Sequence, residues 1–227
     1  MISALLYGTM HAFETDHVLA MSSIVTQKSK WKHAVRAGAF WGMGHTSTIV
    51  IVGVLMILLK VIIPMHYFHY FEALVGVMLI LLGAYSIFRF FKNNKVVVHK
   101  HPHDHHDAAH HVHSHVHMHL NNTERHDHVH FSYGVGLVHG LAGSGELVVA
   151  AAITYVNPWL GVLYLLLFGV GTVFGMAIAT GLLYIPFTRN AVISPKLTIA
   201  LTWLSAVLCI GYGAIVIFHN LALTGWL

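Results

Sequence analysis

Six stretches of this chain, at 2–25, 37–60, 69–91, 132–155, 159–185 and 197–219, are apolar and long enough to matter before anything else does. A helix needs roughly 20 mostly apolar residues to cross a bilayer. Only helices and closed barrels satisfy their own backbone in lipid, and runs of this length favour helices. The composition agrees. The chain is 56% hydrophobic and 9% charged, whereas a soluble domain carries about 25% charged residues. The expected fold is all-α: a polytopic membrane protein of six transmembrane helices. The N-terminal run lacks the basic start and plain apolar centre of a secretory signal. The single cysteine, Cys209, lies in an apolar run and reads as a small buried hydrophobe.

The spans divide into two sets of three. Residues 1–91 hold the first three and 132–227 the last three, with a polar insert over 92–131 between them. "FWGMGH" at 40–45 aligns with "LFGVGT" at 167–172, and "GAYSIF" at 83–88 with "GAIVIF" at 213–218. His11 and His139 stand at nearly the same offset. This pattern predicts duplication of a three-helix unit. Because three is odd, the second copy must enter the membrane from the opposite face. Such inverted repeats are common in secondary transporters, with the substrate site near the midplane.

Lysine and arginine set the orientation. Eleven of the twelve fall in the 26–36 segment, the 89–131 segment and the 186–196 segment, and only Lys60 lies on the other side. The eleven-residue side is expected to be cytoplasmic and both termini outside, in the cytoplasmic (inner) membrane. The pI of 9.2 is thus a matter of topology, and no nucleic-acid partner is expected.

"HAFETDH" at 11–17 places His11, Glu14, Asp16 and His17 inside the first apolar run. A charge at bilayer depth costs at least about 2.5–3.5 kcal/mol, so four ionisable groups in seven residues require a compensating partner. At 100° per residue, His11, Glu14 and His17 share one face of a regular helix, while Asp16 points away. Either Asp16 meets another helix, or the first helix is broken there. Two imidazoles with carboxylate suit a divalent transition metal rather than magnesium. A proton relay or a structural hydrogen-bond network is the competing reading.

Other spans add candidates. His45 lies in "GMGHTSTI", where Gly42 and Gly44 permit close helix approach. His139 opens "HGLAGSGE", whose glycines favour a broken helix, and Glu146 is the only carboxylate in the later spans. Met10, Met21, Met43 and Met176 read as packing residues. The insert carries 14 of the 22 histidines within 99–130, including His111, His113, His115, His117 and His119. Such a stretch cannot form a packed core and is expected to be a disordered, metal-buffering loop. A pH-responsive tether is its alternative.

These motifs resemble those of the nickel/cobalt transporter superfamily. "HAFETDH" is similar to its His-x4-Asp-His signature, with Glu14 where Asp is common. "FWGMGHTSTIV" is similar to its second-span Gly-His-Ser/Thr motif. "GLVHGLAGSGEL" resembles the UreH-like urease accessory branch, which is also short with a His-rich insert. The chain departs from the family in being smaller than eight-span members and in having Glu146 where small residues are usual. The resemblance implies transport of Ni²⁺ or Co²⁺, with His11, Asp16 and His17 as ligands from the first motif and His45 from the second. It also implies urease or hydrogenase maturation proteins, or cytoplasmic metallochaperones, as partners. The metal is cargo, and no prosthetic group is expected. Efflux, or zinc transport, is the alternative on the same scaffold. An intramembrane metalloenzyme is disfavoured because no H-E-x-x-H pattern occurs; a sensor without transport is a further alternative.

Overall fold

A computed structural model describes residues 1–227 apart from 27, 29, 62, 94–96, 103–111, 118–128, 142–148, 151, 194 and 225–227. Among the described residues, four helices are long and apolar enough to cross a membrane. They are α3 (Trp31–Leu59), α4 (Met65–Asn93), α6 (Pro158–Ile193) and α7 (Pro195–Leu223). Each outruns its apolar stretch by a few residues, as helix ends do when they reach the interface. α6 continues beyond Pro186, where the apolar stretch ends. Large apolar side chains such as Leu58, Phe88, Phe174 and Phe218 are exposed on these helices. So much exposed apolar surface belongs in lipid, and the chain is a multi-pass membrane protein.

The first and fourth apolar stretches are different. The first is two short helices, α1 (Ile2–His11) and α2 (Thr15–Val25). In the fourth, α5 (Val129–His139) ends at its histidine. Among the described residues of this stretch, helix is next found at 149–150 and 152–153, and Glu146 lies outside the described residues. Within the insert, β1 (Val97–Pro102) pairs antiparallel with β2 (Val112–His117), in a register that sets His99 opposite His115 and His101 opposite His113. This pairing is an exception to the all-α expectation. Alternating histidine and valine has the period of a strand. His111 and His119 lie outside the described residues.

Glycine decides how the helices meet. Along α3, Gly38, Gly42 and Gly53 face Thr180, Val173 and Leu165 of α6, so the two helices run antiparallel. The short helices lie beside this pair. A Cβ on Gly8 of α1 would collide with the Phe168 carbonyl of α6, and one on Gly136 of α5 with the Trp41 carbonyl of α3. One turn further on, Ala12 meets Gly175, and Gly140 meets Thr48. Each short helix therefore runs in the same sense as its long neighbour. α4 and α7 cross where Gly76 and Gly213 approach each other's carbonyl oxygens, at 2.7 and 2.6 Å from the position a Cβ would take. Hydroxyls tie α2 to both: Ser22 to Ser205 of α7 at 2.6 Å, and Thr26 to Ser86 of α4 at 3.2 Å.

Among the described residues, three apolar clusters fill the interior, the smallest being Val25, Ala34 and Tyr184. Of the two larger, one gathers Met21, Trp41, Leu79, Met176 and Cys209. The other gathers Ala4, Ile49, Leu165 and Phe168. On α3 these two larger clusters meet on either side of His45, which has 14 helical residues before it and 14 after.

Candidate metal centre

The break between α1 and α2 is short, and turn hydrogen bonds carry the chain through it. Phe13 N–H donates to Met10 O at 2.9 Å, and Glu14 N–H to His11 O at 3.1 Å. Glu14 is extended (φ −63°, ψ 153°) and its carbonyl accepts Val18 N–H, starting α2. Neither glycine nor proline falls at 12–14, so the kink has neither of those usual causes. His11 lies in the last turn of α1, His139 in the last turn of α5, and Asp16 in the first turn of α2. The helix N-terminus favours the Asp16 carboxylate.

The break resolves the position of Asp16. The helix is interrupted, and Asp16 also meets another helix. Its Oδ2 lies 2.7 Å from His139 Nε2 of α5, and its Oδ1 lies 3.0 Å from Nδ1 of its neighbour His17. On the other side, Glu14 Oε1 lies 2.9 Å from His11 Nδ1. His11 Nε2 is 2.9 Å from His45 Nε2 of α3. All four imidazoles are buried, with relative exposures of 2% or less. Asp16 and Glu14 keep 24% and 37% of their side chains accessible, so the carboxylates form the wetter edge of the cluster.

Each carboxylate that accepts a ring N–H fixes a tautomer and leaves the second ring nitrogen with a lone pair. His17 Nε2, His45 Nδ1 and His139 Nδ1 are buried and have no hydrogen-bond partner among the described residues. Native proteins rarely leave such atoms unpaired, and an electrophile in the cluster would satisfy them. Two groups of three donors each converge within 4.8 Å: His11, His17 and His45, and Asp16, His17 and His139. Donors bound to one ion at about 2.0–2.1 Å lie about 3–3.4 Å apart, so small movements suffice to bring them onto an ion.

Of the residues expected from the sequence, the structure brings together His11, Glu14, Asp16, His17, His45 and His139, while Glu146 lies outside the described residues. Trp41 and Phe168 complete the wall and escaped the sequence reading. The Trp41 ring stacks on His17 at 6.0 Å and lies 5.4 Å from His139; Phe168 lies 5.3 Å from His11. A signal for Trp41 was present, since it precedes His45 by one helical turn and shares its face. Met21 and Met176 pack in the apolar cluster, while Met10 and Met43 are exposed.

Residues 3–215 match the family described as cytochrome c biogenesis protein transmembrane region. The chain belongs to that family. Among its relatives is the urease accessory protein UreH of Bacillus sp. (strain TB-90), 38% identical over 81% of this chain and 75% of the relative. Two Arabidopsis thaliana proteins, chloroplast proteins FOR GROWTH AND FERTILITY 1 and 2, are 26% and 25% identical over 92% of this chain. The chain spans 56% and 54% of their lengths, little more than half of each. No solved structure matches it.

Proposed function

We propose that this member of the family is a carrier of divalent transition-metal ions. Our reading is Ni²⁺ or Co²⁺ uptake across the cytoplasmic membrane through the His/carboxylate cluster. The observation that carries it is four buried imidazoles from four helices, three with an unpartnered ring nitrogen, in the middle of a membrane bundle. The urease accessory relative supports nickel, since it is named for a role in urease. The motif likeness to nickel/cobalt transporters points the same way. The family and its urease accessory relative are named for no catalytic activity, and the chain is read as non-enzymatic. Thiol exchange, one route open to a biogenesis protein, needs two thiols. The sequence has one cysteine, and it is buried in an apolar cluster.

The proposed mechanism follows from the geometry. Glu14 and Asp16 hold His11 and His17 through their Nδ1 atoms and turn the Nε2 lone pairs inward. His45 and His139 bring further nitrogens from α3 and α5. Imidazole nitrogens replace part of the ion's hydration shell, and the two carboxylates offset its charge. Borderline ions such as Ni²⁺, Co²⁺ and Zn²⁺ accept this set. Inward movement of a doubly charged ion gains roughly 4.6 kcal/mol per 100 mV of membrane potential, which drives uptake without nucleotide hydrolysis. Histidines of the insert, among them His111, His113, His115, His117 and His119, then capture the ion on the cytoplasmic side. Urease or hydrogenase maturation proteins are the proposed recipients.

Two inverted three-helix repeats give the carrier its moving parts. Gly8 with Phe168 and Gly136 with Trp41 are the same contact made twice, at positions 128 and 127 apart. Since α1 follows α6, α5 follows α3, and α3 opposes α6, the two short helices run in opposite senses. Alternating access by relative motion of the halves follows from such symmetry.

The test is Ni²⁺, Co²⁺ and Zn²⁺ flux into proteoliposomes. His17→Ala and Asp16→Ala are expected to abolish it while the protein still inserts. Undiminished flux in both variants would refute the proposal.

A further inference from the structure

The cluster offers more donors than one ion needs, and they fall into two overlapping sets that share His17. The first set, His11, His17 and His45, is all imidazole and comes from α1, α2 and α3. The second, Asp16, His17 and His139, contains a carboxylate and is closed by α5. His17 presents a different nitrogen to each. Its Nδ1 faces Asp16 at 3.0 Å, within the second set. Its Nε2 is buried and unpartnered, and is the nitrogen left for the first. His45 and His139 each keep a further unpartnered nitrogen, so both sets hold spare donor capacity.

We propose, on the basis of the metal-carrier reading, that the centre has two alternately occupied ion positions that pivot on His17. In the first, His17 binds through Nε2 while Asp16 accepts its Nδ1–H, the arrangement that raises the basicity of a ligating imidazole. In the second, Asp16 itself becomes a ligand together with His139. The two positions are exclusive. Filling both needs an imidazole stripped of both ring protons, between two mutually repelling divalent ions. The first position lies wholly within residues 11–45, whereas the second depends on where α5 sits against α3. Occupation of the second therefore favours the arrangement in which α5 is docked, and emptying it releases α5. Transfer between positions couples the ion to the relative placement of the two halves.

Trp41 supplies a local probe, because its ring lies against both His17 and His139 and paramagnetic Co²⁺ or Ni²⁺ quenches an indole at short range. The other tryptophans of the full chain (Trp31, Trp159, Trp203 and Trp226) are replaced by phenylalanine, and the histidines between 99 and 128 by asparagine, so that Trp41 is the one indole and the insert holds no quencher. In this background Co²⁺ should quench saturably. His45→Ala and His139→Ala should each retain quenching, with affinity within about tenfold of the background, while metal flux in proteoliposomes is lost in both. His17→Ala, and the double variant His45→Ala/His139→Ala, should weaken quenching at least 100-fold. His45→Gln and His139→Gln keep most of the volume and a hydrogen-bonding group, and should reproduce the alanine pattern. If His45→Ala and His139→Ala each abolish quenching as His17→Ala does, the centre is one composite site and the two-position scheme fails, with the carrier reading intact. If the background itself shows no saturable quenching, both fail.

Discussion

Gly136→Ala tests whether the α3–α5 contact holds the centre together. A Cβ at this position would stand 2.7 Å from Trp41 Cδ1 and 2.9 Å from His45 N, and closer still to the Trp41 carbonyl. Ordinary contact begins near 3.4 Å, so α5 must withdraw by roughly 1 Å or more. Overpacking of this kind costs about 1–3 kcal/mol, against at most about 1 kcal/mol gained from alanine's helix propensity. The hydrogen bond from His139 to Asp16, now 2.7 Å, would stretch beyond the 3.5 Å limit of such bonds. Loss of a bond to a charged group costs about 1.5–3 kcal/mol, equivalent to a 10- to 100-fold fall in flux if that contact is used in transport. Gly134→Ala is the matched control. It lies on the same helix and its Cβ would meet nothing within 4 Å. Metal flux in proteoliposomes and thermal unfolding in detergent are measured for both. Gly136→Ala should be the less stable and transport 10- to 100-fold more slowly, while Gly134→Ala should match the parent. Equal behaviour of the two variants would refute the steric reasoning.

Two further outcomes are expected. Replacing the histidines between 99 and 130 with asparagine should leave initial flux unchanged but lower the number of Ni²⁺ ions retained per chain at equilibrium. An unchanged number would remove the insert from metal capture. In a Cys209→Ser background, a cysteine placed at Lys28 should react with impermeant reagent only from the cytoplasmic side, and one at Val61 only from the outside. The reverse labelling would invert the orientation drawn from the basic residues.

Several features were legible in the chain because they depend on local composition. Hydropathy marks where apolar segments lie, and α3, α4, α6 and α7 occupy four of the six expected stretches. The anomalous His11, Glu14, Asp16 and His17 were visible because charge is rare in apolar surroundings. Their likeness to a known motif added a chemistry. Hydropathy is blind to a helix break, however. The interruption at 12–14 showed only indirectly, because Asp16 could not share the face of His11, Glu14 and His17 on an unbroken helix. Trp41 passed as an ordinary apolar residue.

Tertiary structure alone decided what Asp16 does. Its partner His139 is 123 residues away, and no periodicity within the first span points to it. The pairing depends on the register of α5 along α3, which is set where Gly136 and Gly140 let backbone touch backbone at Trp41 and His45. The sequence shows that those glycines exist. Only the packed bundle shows which carbonyl each one meets, and so which imidazole is carried to the aspartate.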